Sequence, residues 1–173
     1  MTAPLLVRLG AHDRALMLRC SISPGAPRVS RVWWAAVTHL GGTGPSLAAA
    51  CLPWLACCEW RRVGELALAT LVISHLLVQL VKRTIGRGRP ASRGDLRAAI
   101  REPDRFSFPS GHATASLAVA LPYALVFPLL AGPLLLLALL VGFSRVRLGV
   151  HYPSDVVVGQ CLAILTTAVV VLL

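Results

Sequence analysis

The sequence predicts an all-α membrane protein: a polytopic bundle of about five transmembrane helices preceded by an N-terminal helix that lies in the membrane interface. Of its 173 residues, 56% are hydrophobic, and the mean hydropathy of +0.73 is too high for a soluble domain. The apolar residues fall into long runs that short polar segments separate. A chain of this length forms one domain, here residues 1–173.

The N-terminal segment, residues 1–31, differs from the rest because its leucines alternate with arginine, histidine and aspartate. A helix of that composition lies along the membrane interface instead of crossing it. Pro24 and Pro27 then end the helix.

Two membrane-spanning helices are predicted next. The first covers Val32–Cys58, where tryptophans near both ends mark the two interfaces. Its inner glycines and proline indicate a kink or close helix packing. The second covers Gly64–Val81 and ends at Lys82, after which residues 86–109 form a polar loop.

The second half of the chain predicts three more crossings. Residues 113–143 carry no charge and are too many for a single crossing, which needs about 20 residues. Gly132-Pro133 is expected to divide them into two helices joined by a tight turn. The last crossing covers Pro153–Leu173.

This topology places the chemically active residues at one membrane face. Lys82 ends the second crossing, His112 begins the third, Arg145 ends the fourth and Asp155 begins the fifth. All four therefore emerge on the same side, although the crossings were assigned from hydropathy alone.

The net charge of +10 narrows the classes of partner. A basic excess fits nucleic acid, an anionic membrane surface or an anionic substrate. Nucleic acid is excluded because the charges flank apolar helices and form no separate basic domain. The five cysteines form no CxxC pair, so we expect no disulfide framework and no metal site. The expected partners are membrane lipids and an anionic substrate.

His151 and Asp155 are candidates for a nucleophile and the group that orients it. Pro153 suits the first turn of a helix, and Asp155 lies in that turn, four residues after His151. The carboxylate can accept a hydrogen bond from one imidazole nitrogen and leave the other nucleophilic. The alternative is a capped helix with an aspartate at its positive end.

The segment Pro109–His112 reads PSGH and opens the third crossing. A helix N-terminus presents free N–H groups to an anion, Gly111 allows close backbone approach, and Ser110 adds a donor. His112 is then placed to protonate a leaving oxygen. The alternative is an ordinary helix cap.

Lys82, Arg89 and Arg145 supply positive charge. Phosphoryl transfer depends on positioning the phosphoryl group and on stabilising the negative charge of its equatorial oxygens. One ammonium and two guanidinium groups can provide both. The alternative for Lys82 is an anchor at the membrane edge.

Other polar residues are assigned to ordinary roles. The remaining loop arginines are expected to be solvated or to face headgroups: Arg87, Arg93, Arg97, Arg101 and Arg105. Three polar residues in the first two crossings are expected to be packed polar groups, with a role near the substrate tail as the alternative: His39, His75 and Gln79. The loop acids either balance nearby arginines or tune headgroup choice: Asp95, Glu102 and Asp104.

Taken together, the three segments resemble the type 2 phosphatidic acid phosphatase (PAP2) superfamily of lipid phosphatases. Its signature is K-x6-RP, then PSGH, then SR-x5-H-x3-D. Here it reads Lys82–Pro90, Pro109–His112 and Ser144–Asp155, in order and with every fixed position matched. The motifs and the helices that carry them cover about residues 64–160.

The resemblance implies a metal-independent phosphatase without a cofactor. His151 would form a phosphohistidine and Asp155 would orient it. His112 would protonate the leaving lipid alcohol and then help to activate water. The phosphate would be held by Lys82, Arg89, Ser110, Gly111 and Arg145.

Several alternatives stay open. The substrate can be a lipid phosphomonoester or a pyrophosphate, and the phosphohistidine can be captured by another lipid, which would make the protein a phosphotransferase. A non-catalytic lipid-binding protein is the third class. The chain is expected in a bacterial cytoplasmic membrane. Its arginine bias puts the site on the cytoplasmic face, whereas bacterial members of the superfamily usually act on the outer face. The sequence does not predict an oligomeric state.

Overall fold

The computed structural model describes residues 5–23, 25–56, 58–100 and 104–173, which form α-helices joined by loops and one 3-10 turn. The helices are α1 Leu5–Cys20, α2 Arg28–His39, α3 Thr43–Cys51, α4 Cys58–Ile85, α5 Gly111–Val126, α6 Pro128–Arg147 and α7 Pro153–Leu172, with the 3-10 turn at Leu52–Leu55. The predicted all-α helical bundle is confirmed.

Two glycines end helices that carry site residues. Gly86 follows α4 with φ +63° and Gly149 follows α6 with φ +70°. Such backbone angles lie in the left-handed region, which glycine adopts without steric cost. The chain therefore turns sharply after Lys82 and Arg145, and both side chains stay at the same end of the bundle.

Within the described ranges, three helices are long and apolar enough to cross a membrane: α4 over Trp60–Ile85, α6 and α7. Helix α5 is apolar too, but at 16 residues it is shorter. At 1.5 Å per residue α5 spans about 24 Å, less than the roughly 30 Å hydrocarbon core.

The first predicted crossing is not a single helix. Within Val32–Cys58 the chain forms the end of α2, the whole of α3 and the 3-10 turn. Helix α2 ends at His39, and Gly42 has an extended backbone before α3 begins. Gly41 and Gly42 lie between the two helices, where glycine carries none of its cost inside a helix. A Cβ at Gly41 would lie 2.5 Å from the side chain of Val141, so of the two predicted roles, a kink or close helix packing, close packing applies at Gly41.

The predicted turn at Gly132-Pro133 is wrong. The break lies at Phe127, and α6 runs from Pro128 through Pro133. Phe127 leaves helical geometry, with φ −120° and ψ 81°, because it precedes a proline. Pro133 is tolerated because the carbonyl it leaves without a helical donor belongs to Leu129, in the exposed first turn.

Helix α5 lies at the centre of the bundle, where it packs against α4, α6 and α7. Its inward face is built from small residues such as Ala113 and Ala118, both fully buried. Gly159 brings α7 so close that a Cβ atom there would lie 2.7 Å from the carbonyl oxygen of Ser110. This contact joins the start of α5 to the first turns of α7.

Helix α1 packs on the end of the bundle that carries the site. Its Met17 is fully buried against Ala113, Val146, Tyr152 and Val156. The interfacial position predicted for residues 1–31, and the single domain over 1–173, stay predictions.

Candidate active site

A cavity of about 410 Å³ lies between α3, α4 and the start of α5. Its apolar wall includes Leu47, Leu71 and Leu76, and its charged wall includes Lys82 and Arg89. Leu71 precedes Lys82 by three helical turns, so the cavity runs from the charged end of α4 toward its middle. Five of the predicted site residues line the cavity: Lys82, Arg89, Gly111, His112 and His151.

His151 lies in the loop between α6 and α7 and is 1% exposed. Its Nε2 lies 3.2 Å from Nη1 of Arg89, and its Nδ1 lies 3.5 Å from Oδ2 of Asp155. A guanidinium can only donate hydrogen bonds. Nε2 is therefore the ring nitrogen with the free electron pair, and Nδ1 carries the proton.

Asp155 is fully buried in the first turn of α7. Its Oδ2 accepts a hydrogen bond from the backbone N–H of Tyr152 at 2.8 Å. Its Oδ1 accepts one from Nη1 of Arg87 at 2.7 Å. Both oxygens are thus held, so the carboxylate has a fixed orientation beside His151.

The PSGH segment is tied to this turn through the backbone. The N–H of Ser110 donates to the carbonyl oxygen of Asp155 at 2.9 Å. Ser110 caps α5 and is fully buried, and its Oγ makes no hydrogen bond within the described part of the chain. Gly111 and His112 follow it on the cavity wall.

The three predicted cations are almost fully buried: Lys82 is 5%, Arg89 0% and Arg145 1% exposed. Nη1 of Arg89 donates to the carbonyl oxygen of Val150 at 2.8 Å. Nη1 of Arg145 donates to Oγ1 of Thr38, on α2, at 2.9 Å. Buried cations are costly unless an anion or several acceptors compensate them.

Asp104 is the anion that compensates two of these cations. Its Oδ2 lies 2.7 Å from Nζ of Lys82 and its Oδ1 lies 3.1 Å from Nη2 of Arg89. Its carbonyl oxygen also accepts from Nε of Arg89 at 2.6 Å. A carboxylate therefore bridges the two cations proposed to bind phosphate.

These charges shift the pKa values of the residues around them. Burial lowers the pKa of His151 well below its ordinary value, and the positive charges of Arg145, Arg89 and Lys82 lower it further. Burial alone would raise the pKa of Asp104, but Lys82 and Arg89 outweigh it and hold that pKa below 3.8. At neutral pH the imidazole of His151 is neutral and Asp104 is charged.

Residues 64–173, which include all eight predicted site residues, match the PAP2 superfamily. The chain belongs to this superfamily. It is 39% identical over 102 residues to the lipid A 1-phosphatase of Rhizobium etli, covering 56% of this chain and 44% of that protein. It is 39% identical over 101 residues to the decaprenylphosphoryl-5-phosphoribose phosphatase of Mycolicibacterium smegmatis, covering 58% of this chain and 52% of that protein. The chain thus spans about half or less of the length of these relatives.

The fold agrees with this membership. The crystal structure of a transmembrane PAP2 type phosphatidylglycerolphosphate phosphatase from Bacillus subtilis superposes with a TM-score of 0.75 and 26% identity. The match covers 94% of this chain and 84% of that one. Together with its long apolar helices, this makes the protein an integral membrane protein of the PAP2 type.

Sequence reasoning missed one residue of this PAP2 site and misassigned another. Arg87 is not a solvated loop arginine, because its side chain is only 19% exposed and its guanidinium bonds to Asp155. Asp13 was treated only as part of the N-terminal helix, yet it lies 2.7 Å from the same guanidinium. Local patterns gave no signal for either, since the contacts join distant parts of the chain. Of the other loop arginines, Arg93, Arg97 and Arg105 are exposed, and Arg101 lies outside the described residues.

His75 and Gln79 of α4 are not packed in the core of the bundle, contrary to the prediction from sequence. His75 is exposed and Gln79 half-buried, their side chains lie 3.3 Å apart, and both line the cavity. That position agrees with the alternative role near the substrate tail. His39 is exposed at the end of α2.

Proposed function

We propose that the protein is a metal-independent lipid phosphatase that hydrolyses a phosphomonoester or pyrophosphate on a lipid through a phosphohistidine at His151. One observation carries the proposal: Nε2 of His151 lies 3.2 Å from Nη1 of Arg89 on the cationic wall of the cavity, while Oδ2 of Asp155 lies 3.5 Å from the opposite ring nitrogen. An imidazole arranged in this way is ready to attack a phosphorus atom bound there.

In the first step Nε2 of His151 bonds to phosphorus, and the bond from phosphorus to the lipid oxygen breaks. His112, on the cavity wall, gives its proton to that leaving oxygen. The negative charge of the bound phosphate favours the protonated form of His112 that this step needs. Asp155 stabilises the positive charge that develops on the ring of His151.

Positive charge stabilises the transferring phosphoryl group. Lys82, Arg89 and Arg145 supply three cations, and Ser110 and Gly111 add donors at the start of α5. The buried Oγ of Ser110, which has no hydrogen-bond partner among the described residues, supports its assignment to phosphate.

In the second step His112, now neutral, takes a proton from water as the water attacks phosphorus. The bond between phosphorus and Nε2 breaks, inorganic phosphate leaves, and both histidines return to their starting states. Capture by a second lipid alcohol in place of water would give phosphotransfer at the same site.

The cavity supports a lipid substrate because its wall changes from charged to apolar along α4. PAP2 relatives named above act on a lipid A phosphate and on a decaprenyl-linked phosphate. We therefore assign the substrate to membrane lipid phosphates as a class and leave the tail unspecified.

The test measures phosphate release by detergent-purified protein across a panel of lipid phosphates, with chelator present and no added metal. His151→Ala is expected to lose at least about 10⁴-fold in kcat, because removal of a nucleophile abolishes the covalent route. Labelling with ³²P-substrate should leave acid-labile, base-stable phosphate on wild-type protein and none on the variant.

His12→Ala is the matched control, because His12 is exposed on α1, and it should keep wild-type turnover. The pH profile gives a further check: with the pKa of His151 lowered below 6.5, kcat/KM should persist as pH falls through 6.5. Retained turnover in His151→Ala would contradict the proposed phosphohistidine mechanism. Labelling without phosphate release would favour phosphotransfer.

A further inference from the structure

Arg87 joins the site to the N-terminal helix. Its Nη1 donates to Oδ1 of Asp155 and to Oγ of Ser154, each at 2.7 Å. Its Nη2 donates to Oδ2 of Asp13 at 2.7 Å. The guanidinium also lies 4.0 Å above the ring of Tyr152. It is therefore fixed on two sides by carboxylates and on a face by an aromatic ring.

Asp13 holds the same turn of α7 by a second route. Its Oδ1 accepts the backbone N–H of Ser154 at 2.9 Å, and its Oδ2 accepts the hydroxyl of Ser154. Ser154 is in the first turn of α7, where N–H groups have no helical acceptor. A side chain from α1 thus caps the N–H of Ser154, in addition to the local cap in which Asp155 accepts the N–H of Tyr152.

Asp155 and Asp13 differ in burial, and so in how each carboxylate would respond to the loss of Arg87. Asp155 is fully buried and the side chain of Asp13 is 11% exposed. Without Arg87, Asp155 would keep the N–H of Tyr152 and the nearby side chain of Ser107, but its Oδ1 would lose the charged donor that holds it. Arg87 therefore fixes the plane of Asp155, and that plane sets where Oδ2 lies relative to Nδ1 of His151, 3.5 Å away.

Helix α1 is anchored by further contacts, so Asp13 occupies a defined position. Nε of Arg14 lies 2.7 Å from Asp95, which accepts the hydroxyl of Tyr152 at 2.6 Å. The N–H of Ile22, just after α1, donates to the carbonyl oxygen of Arg147 at 2.8 Å. Helix α1 is thus attached on both sides of the loop that carries His151.

We propose that Arg87 and Asp13 are positioning residues for the nucleophile. Asp13 orients Arg87, Arg87 orients Asp155, and Asp155 keeps His151 in the tautomer whose Nε2 faces the phosphate site. This inference rests on the proposed function, and it makes α1 a part of the catalytic apparatus in addition to any role at the membrane.

The kinetic test separates positioning from phosphate binding. Arg87→Gln is expected to lower kcat about 100-fold, as misplacement of a reacting group by about 1 Å does, with KM changed less than about twofold. Arg87→Lys keeps the positive charge but loses the planar set of guanidinium N–H donors, so its kcat should lie between those of Arg87→Gln and wild type. Arg97→Gln is the matched control, since Arg97 is an exposed arginine of the same loop.

A double-mutant cycle tests whether Asp13 acts on catalysis through Arg87. Asp13→Asn alone should lower kcat about tenfold, because Arg87 keeps its bond to Asp155 but loses its own orientation. Combined with Arg87→Gln it should add almost nothing, because residues that act as one unit are non-additive. Fully additive losses would overturn the inference.

A measurement without turnover distinguishes failure of this inference from failure of the proposed function. Nitrogen NMR of histidine-labelled protein, with the signal of His151 identified through His151→Ala, should show the Nδ1–H tautomer in wild type and a mixture in Arg87→Gln. An unchanged His151 tautomer in Arg87→Gln rejects the positioning role. The role is also rejected if Arg87→Gln only reduces the amount of folded protein while the folded fraction keeps full kcat. Inactive wild-type protein with the expected tautomer change rejects only the phosphatase.

Discussion

At the scale of the residue, Asp104 lies between the two cations that we propose bind the substrate phosphate. Its carboxylate contacts both Lys82 and Arg89, and those cations would otherwise be buried without a counterion. A phosphate that enters between them has to displace it. Because its pKa is held below 3.8, Asp104 stays charged and competes throughout the working pH range.

Asp104→Asn should therefore strengthen inhibition by inorganic phosphate about tenfold, since a hydrogen bond to a charged group is worth roughly 1.5–3 kcal/mol. The ratio of inhibition constants between variant and wild type should stay constant from pH 5 to pH 8, because the sign of the pKa shift keeps Asp104 ionised there. Competitive inhibition of phosphate release measures both.

Glu65→Gln is the control for this prediction. It removes the same charge from an exposed position on α4, about 25 Å along the helix from Lys82, and should leave phosphate inhibition unchanged. Weaker inhibition in Asp104→Asn would mean that Asp104 organises the cations for phosphate and does not compete with it.

At the scale of the element, the contact between α5 and α7 sets the distance between the two histidine segments. Gly159 permits that contact: a Cβ there would lie 2.7 Å from the carbonyl oxygen of Ser110 and 2.8 Å from Oγ1 of Thr114. Ser110 in turn donates its N–H to the carbonyl oxygen of Asp155. Any separation of these helices moves His112 away from His151.

Gly159→Ala should lower the free energy of unfolding by about 1–3 kcal/mol, as overpacking of a tight contact does. It should also lower kcat, with a smaller change in KM. Thermal unfolding in detergent and phosphate release measure the two effects. Gly132→Ala is the matched control: a Cβ there has no neighbour within 4 Å, so this helical position should gain up to about 1 kcal/mol. Equal melting temperatures for the two variants would contradict the prediction.

At the scale of the whole molecule, the bundle combines a charged end with an apolar cavity wall. The apolar wall includes exposed side chains of α4, such as Leu76 at 64%. An alkyl phosphate that binds there from aqueous solution takes its tail out of water, and each buried methylene stabilises binding by about 0.8 kcal/mol. Under the proposed function, the same cavity takes both the phosphate and the tail.

For soluble alkyl phosphates below their micelle concentration, kcat/KM should rise about fourfold with each added methylene until the chain outgrows the wall. Leu76→Ser should reduce the rise in kcat/KM with each added methylene. Leu80→Ser should not, because Leu80 is similarly exposed, at 60%, without lining the cavity. A series that is flat in wild-type protein would mean that the tail lies outside the cavity.

The sequence by itself determined the helical membrane class and the residues of the PAP2 motifs. Both follow from short-range information: hydropathy over one crossing, and spacings of seven residues or fewer within each motif. Counting crossings was enough to predict that Lys82, His112, Arg145 and Asp155 share one end, because a helix that spans a membrane can only emerge on one side or the other.

Tertiary structure decided the contacts between segments and the points where helices break. Arg87 lies 68 residues from Asp155, and Asp13 lies 141 residues from Ser154, so no local pattern could join them. The break between α5 and α6 lies at Phe127 and not at the predicted Gly132-Pro133, because exposure of the first turn of α6 made Pro133 tolerable. The bridge that Asp104 forms also arises only after folding, because burial of Lys82 and Arg89 creates the need for an anion.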